Sequence, residues 1–119
     1  MWTYDQTSGQ LKHGDALIAT GYSGNAIGKN NSAMQGVPDI GPIPRGLWTI
    51  GPVIEKSTLG PHVMALTPSA TTTTFGRSGF YCHGDSIADP GHGSCGCIIM
   101  DPYTRGRLAE TSDRFLQVL

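Results

Sequence analysis

Glycine and proline cut this sequence into pieces so short that no long helix can be written through it. The chain carries Gly 17 and Pro 8, and the apolar runs between them reach only four residues, as in Ala16 to Ala19 and Val63 to Leu66. Pieces of that length, rich in β-branched and aromatic residues, read as short strands joined by tight turns. The expected fold is therefore mostly β, a β-sandwich or barrel-like unit with one short helix late in the chain. A length of 119 residues suits one domain over 1–119 and suffices to bury a core without obligatory disulfides or metals. No internal repeat or linker divides it.

Trp2 to Tyr4, Leu11 to His13 and Ala16 to Tyr22 read as an antiparallel meander, with turn chemistry at Thr7-Ser8-Gly9 and His13-Gly14-Asp15. Ser23 to Pro44 has no sustained period and is expected to be a long loop crossing the surface. The prolines of Gly41-Pro-Ile-Pro-Arg-Gly46 stiffen the entry into a strand over Leu47 to Val53. Further strands are predicted at His62 to Thr67, Phe80 to His83 and Cys97 to Met100, with Thr71 to Thr74 as a mobile hairpin tip or flap. Asp101-Pro102 has the form of an N-cap followed by proline at the first helical position, so a short helix is expected from there. Ser112-Asp113 breaks it, and Phe115 to Leu119 reads as a closing strand.

Charge and hydropathy exclude some functions. A formal net charge of -1 supplies no basic field for a polyanion, so no nucleic acid partner is expected. No apolar stretch approaches the roughly 18 residues of a membrane-spanning helix, and membrane insertion is not expected. The first residues, Met1-Trp-Thr-Tyr-Asp-Gln6, have neither the basic nor the apolar segment of a secretory signal, which implies synthesis in the cytoplasm without one. Cys82, Cys95 and Cys97 leave at least one thiol unpaired, and their clustering suggests a site before a disulfide framework.

That cluster lies in Phe80-Tyr-Cys-His-Gly-Asp-Ser-Ile-Ala-Asp-Pro-Gly-His-Gly-Ser-Cys-Gly-Cys-Ile-Ile-Met100. A thiol attacks a carbonyl as thiolate, so it needs a neighbouring imidazole or backbone N–H groups to release or stabilise its charge. His83 ends one apolar strand and Cys97 begins another, and pairing of the two would bring base and nucleophile to one sheet edge. Gly96 removes a Cβ beside the thiol and admits substrate to the backbone, whose N–H groups are candidate oxyanion donors. Cys82 is expected to face the core, opposite His83. Asp85 is read either as orienting the His83 ring or as capping the turn before Ser86.

The order His83-Gly84, a loop, then Ser94-x-Gly96-Cys97 and apolar residues resembles the signature of YkuD-type L,D-transpeptidases. Gly41-Pro-Ile-Pro-Arg-Gly-Leu-Trp-Thr-Ile50 is similar to the proline- and glycine-containing segment of that family, and Phe75-Gly-Arg-Ser-Gly-Phe80 to the approach to its histidine strand. The resemblance is closest to a compact branch of type VI secretion effectors, through Tyr4 to Gly9, Ala19-Thr-Gly-Tyr-Ser-Gly24 and Gly28-Lys-Asn-Asn31. It implies a cysteine enzyme that acts on peptidoglycan tetrapeptide stems, with free D-amino acids as possible acceptors and no cofactor or metal. Cys97 would be the nucleophile, His83 the base, Ser94 a hydrogen-bonding support for histidine or substrate, and Gly96 part of the oxyanion region.

The same resemblance implies action in the periplasm of a target bacterium and a cognate immunity protein. Relatives of the wider family carry His before the Gly-Cys pair and Arg two residues after Cys, where this chain has Cys95 and Ile99. The base then falls to His83, and Arg45, Arg77 and Lys29, with Gly84 and Asp85, are the candidates for substrate binding.

Other readings compete. Cys95, Cys97, His83 and His92 include ligand types suited to zinc, although a Cys-x-Cys pair is tighter than the usual spacing. A non-catalytic wall-binding module would keep the fold without the chemistry. Papain-like chains place Cys before His, the reverse of the order here. His92 is read as solvated, and His13 and His62, without evident companions, as structural.

Overall fold

A computed structural model describes residues 1–56 and 59–119. Among these residues nine strands form one sheet in the order β3-β2-β1-β9-β5-β6-β7-β8-β4. In chain order these are β1 (Trp2–Tyr4), β2 (Gln10–His13), β3 (Ala16–Thr20), β4 (Tyr22–Ser23), β5 (Gly46–Lys56), β6 (Gly60–Pro68), β7 (Tyr81–His83), β8 (Ile98–Ile99) and β9 (Phe115–Val118). The one α-helix among the described residues, α1 (Pro102–Glu110), lies between β8 and β9, as the Asp101-Pro102 signal implied. Asp101 caps it, accepting from the Thr104 N–H at 2.8 Å and the Thr104 hydroxyl at 2.7 Å.

The sheet closes on itself. Strands β3 and β4 occupy its two edges, yet only Gly21 separates them in sequence. Laid flat, nine strands would hold those edges roughly 38 Å apart at ~4.8 Å per strand, so the sheet must roll into a barrel-like shape. Gly21 makes the crossing at a point with no room for a side chain, since an added Cβ would overlap the carbonyl of Ile99. The single strand expected over Ala16 to Tyr22 is thus two, and Tyr22–Ser23 pairs with β8 instead of β2. Sequence periodicity cannot see this, because both halves keep an extended backbone.

Rolling gives the sheet one inward face. Trp2, Tyr4, Leu11, Trp48, Ile50, Met64, Leu66, Cys82, Ile98, Leu116 and Val118 form its core, closed by Leu108 of the helix. They recur at alternate positions along their strands, the period of a half-buried sheet. The closing strand β9 runs parallel to β1 and antiparallel to β5, tying the N-terminal hairpin to the rest of the sheet. Arg114, just before it, donates to the carbonyls of Leu108, Thr111, Ile50 and Gly51 and so fastens the helix end to β5.

Two connections differ from expectation. The segment 24–45 contains two 3-10 turns, Ala26–Gly28 and Ser32–Met34, and its last part is not on the surface. Gly41, Pro42, Ile43 and Pro44 are buried, and side chains satisfy their backbone: Gln6 donates to the Ile43 carbonyl at 2.8 Å and the Trp48 indole to that of Pro44 at 3.0 Å. The Thr-rich stretch after β6 is not a free flap. Thr72 is held to β5 by its hydroxyl, which donates to the Leu47 carbonyl at 2.7 Å and accepts from the Leu47 N–H at 3.1 Å.

Candidate active site

The turn Ser94-Cys95-Gly96-Cys97 leads into β8, and buried polar groups fix nearly every part of it. Ser94 is fully buried, and its hydroxyl donates to the Cys97 carbonyl at 2.7 Å. The same oxygen accepts from the N–H groups of Gly24 at 3.0 Å and Gly96 at 3.1 Å. Ser23, also fully buried, donates its hydroxyl to the Gly96 carbonyl at 3.0 Å and accepts from the Ile43 N–H at 2.8 Å. The expected role of Ser94 beside histidine or substrate is therefore not what its contacts describe. It braces the Cys97 turn from within.

Arg77 holds the turn from the other side. Its guanidinium donates to the carbonyls of Gln35, Pro42, Gly41 and Cys95, and stacks near the Phe80 ring with 5.1 Å to the centroid. Burial lowers its pKa from the ordinary value. A cation held by backbone carbonyls in this way binds two loops together. Gly96 sits at φ +127, and an added Cβ would overlap an Arg77 nitrogen. Its N–H is already given to Ser94, so what Gly96 supplies is space.

Cys97 is half-buried on the wall of a cavity of about 300 Å³, lined also by Pro38, Asp39, Gly76, Arg77, Ser78, Gly79, Phe80, Cys95 and Gly96. Its thiol donates to the Gly79 carbonyl at 3.7 Å. Burial raises its pKa above the ordinary 9.0, and a hydrogen bond from the Tyr81 backbone and the charge of Arg77 only partly oppose this. The group at rest is a thiol, so any nucleophilic chemistry needs its proton removed during the reaction.

His83 is buried at the end of β7, which pairs in parallel with β8 in the register Cys82↔Ile98 and His83↔Ile99. Continuing that register sets Tyr81 opposite Cys97. Cys82 and Ile98 face the core, so His83 and Cys97 share the other face in diagonal positions, with Cβ atoms ~7–8 Å apart. Cys97 opens on the cavity just described, whereas His83 lines a neighbouring one of about 360 Å³ with Gly84, Asp85 and Gly93. The His83 Nδ1 lies 2.7 Å from the Gly84 carbonyl, which can only accept. The proton therefore sits on Nδ1, leaving Nε2 with its lone pair. Burial, more than the charge of nearby Arg105, keeps the ring's pKa below the ordinary 6.5 and the ring neutral. It has the tautomer and charge of a general base.

The remaining sequence candidates do not gather around the thiol. Asp85 turns away from His83: Tyr22 donates its hydroxyl to it, as do the N–H groups of Ser86 at 2.8 Å and Gly91 at 3.0 Å. Burial works against that charge, but these hydrogen bonds and nearby Lys29 outweigh it and lower its pKa. Of its two expected roles, capping the turn before Ser86 is the one observed. Lys29 lies over the Tyr22 ring, 4.3 Å from the centroid, and Arg45 is exposed, with its N–H on Gln35.

Gly84 approaches the guanidinium of Arg105, a residue not singled out from sequence. His92 is exposed, and His13, which lacked companions in sequence, stacks on Trp2 and pairs with Asp113 at 2.9 Å. Among the described residues, no three His, Cys, Asp or Glu side chains converge as metal donors.

Comparison with known families bears on this geometry. The family model described as the Tlde1 domain matches residues 18–117. The chain belongs to the Tlde1 domain family. It is a family of type VI secretion effectors. No curated protein matches the chain. The Tlde1 match holds the whole Ser94–Cys97 turn, His83 and the bracing residues Ser23, Gly24 and Arg77. It leaves out β1 and β2, although Trp2, Tyr4 and Leu11 contribute to the same core. Ser23 and Gly24 lie in one of the recurring motifs, which was the sequence signal for them, but no position in a motif says that Ser23 supports a turn 73 residues away.

Proposed function

We propose that this chain is a cysteine-dependent peptidoglycan enzyme that opens the L,D bond of tetrapeptide stems and releases or exchanges the terminal D-alanine. The observation that carries the reading is a half-buried thiol on a rigid turn, beside a cavity, with a neutral histidine of base tautomer on the same sheet face. The order of those residues and the Tlde1 membership agree with it.

In the proposed reaction the Cys97 thiol leaves the Gly79 carbonyl and turns toward His83 Nε2, which takes its proton. Sulfur attacks the carbonyl carbon of the third residue, a diamino acid, and the C–N bond to D-alanine breaks. The imidazolium returns its proton to the departing amine. A water molecule or the amine of a free D-amino acid then attacks the thioester, giving a tripeptide or an exchanged tetrapeptide, and the thiol is restored. A raised thiol pKa and a lowered imidazole pKa favour this general-base route over a preformed thiolate–imidazolium pair.

Loss of tetrapeptide donors would weaken the wall of a rival cell, the outcome expected of an antibacterial effector. The proposed site of action is the periplasm of the target, with an immunity protein protecting the producer. The test incubates disaccharide-tetrapeptide with the protein, with and without D-methionine, and reads product masses. Tripeptide, and a D-methionine adduct when the amino acid is present, are expected. Intact tetrapeptide in both reactions, with folded and reduced protein, would overturn the reading.

A further inference from the structure

The cavity beside Cys97 carries a charge that opening the stem does not use. Asp39 lines it and is exposed, and its carboxylate has no hydrogen-bond or ion-pair partner among the described residues. The other charged side chain of that wall is Arg77, whose four terminal N–H groups are met by four backbone carbonyls. Asp39 and Cys97 both lie within electrostatic reach of its guanidinium, yet no ion pair joins Asp39 to it. The wall around the thiol therefore presents one unengaged anion.

The backbone holds that anion in place. Asp39 sits at φ +63 in a turn closed by the Gly41 N–H on the Val37 carbonyl at 3.0 Å, and the Ile40 carbonyl accepts from the Asn25 N–H at 2.8 Å. Aspartate takes the left-handed conformation more readily than most residues. Phe75 does not, yet it too is left-handed, at φ +58, next to Gly76 of the cavity wall. Its ring packs on Gly36, where an added Cβ would be 3.2 Å away, and the residue is 49% exposed. Strained backbone of this kind persists only where its surroundings enforce it, and it clusters at binding sites. Here it sets an aromatic surface against the loop that carries Asp39.

The cavity, about 300 Å³, is at the small end of the ~300–1,000 Å³ usual for ligand sites, a size for one amino acid and not for a peptide stem. A carboxylate entering it meets the like charge of Asp39, whereas an ammonium meets a counter-charge with an aromatic ring close by. We infer that this cavity is the acceptor subsite of Cys97, and that Asp39 fills it with the ammonium of a free amino acid in preference to water. The inference rests on the proposed peptidoglycan activity. With the stem held on Cys97 as thioester, the acceptor enters as its ammonium, hydrogen-bonded to Asp39 with its own carboxylate toward solvent, and gives one proton to bulk water. The free amine nitrogen attacks the thioester carbonyl carbon, the C–S bond breaks, and the second proton of that nitrogen passes to sulfur. An amide and the thiol result. Water carries no charge for Asp39 to attract, so the carboxylate raises the local concentration of the amine alone.

The experiment incubates disaccharide-tetrapeptide with a fixed concentration of D-methionine and reads the ratio of exchanged tetrapeptide to tripeptide by mass. Both products arise from one thioester, so their ratio does not depend on how fast that thioester forms. Asp39→Asn keeps the side-chain shape and accepts φ +63. It should lower the ratio about 3- to 10-fold, between the effect of an exposed ion pair and that of a buried charged hydrogen bond. Raising the ionic strength from roughly 0.05 to 0.5 M should lower the wild-type ratio toward that of the variant and leave the variant's ratio nearly constant, a response that a merely structural role would not produce. Tripeptide alone from the wild type, an equal ratio in the two proteins, or the same salt dependence in both overturns the inference. If the wild type cleaves no stem, the peptidoglycan reading itself has failed, and the subsite is read by binding instead. D-methionine titrated into isotope-labelled C97A should shift the amide resonances of Asp39, Gly76 and Gly79, and N-acetyl-D-methionine, which has no ammonium, should not. Absent shifts with D-methionine, or equal shifts with the acetylated compound, overturn the subsite without recourse to any Asp39 variant.

Discussion

The guanidinium of Arg77 fills the space that a side chain on Gly96 would need. Any larger residue at 96 must displace a group that holds four backbone carbonyls, and must also adopt φ +127. Gly96→Ala should therefore cost about 2–4 kcal/mol by urea denaturation, strain and lost bonds together. Retention of wild-type stability would mean that the turn is far softer than its contacts imply.

Ser94→Ala should be costly out of proportion to the one oxygen removed. It strands the buried N–H groups of Gly24 and Gly96 and the carbonyl of Cys97. A loss of about 2–4 kcal/mol is expected, together with lower activity at temperatures where the variant is folded. A stable variant with unchanged kcat would leave no bracing role for this hydroxyl.

Cys97→Ala should remove activity to background while leaving the unfolding midpoint within a few degrees, because little volume is lost at a half-buried position. His83→Ala should lower kcat about 10²- to 10⁴-fold, the usual contribution of a general base. A crippled His92→Ala variant beside an active His83→Ala variant would transfer the base to the exposed loop.

Two shifted groups set the pH dependence. The pKa of His83 is held below 6.5 by burial, so the base is still unprotonated at pH 6.5 and activity should decline only at lower pH. The same shift has a stability consequence: below pH 6.5 the unfolded chain takes up the proton first, so stability falls as pH drops through that value toward the lower folded pKa. The Cys97 thiol is shifted upward, and its alkylation rate should keep climbing past pH 9. A plateau in alkylation at or below neutral pH would contradict the general-base route.

Cys95 is exposed and borders the same cavity as Cys97, whereas Cys82 is sealed in the core with its thiol pushed up to about 12 by burial. Mild oxidant should therefore inhibit through Cys95, reversibly with reductant, and Cys95→Ser should slow that inhibition at least several-fold. Equal sensitivity of the two proteins would remove Cys95 from redox control.

Short-range chemistry was readable in the sequence. The Asp101-Pro102 helix start, the closing strand at Phe115 and the inward face of Cys82 follow from capping, turn residues and alternation, which act over a few positions. The pairing of a His83 strand with a Cys97 strand was legible too, because an apolar run ending in each residue needs a partner. Tertiary structure alone decided what depends on residues far apart. Gly21 sends one extended segment to two sheet edges, Ser23 and Arg77 meet at the Cys97 turn, and Arg105 arrives beside Gly84. Hydrogen-bond valence explains the difference: a buried serine or arginine must satisfy its polar atoms, but which carbonyls do so is settled only when the sheet closes.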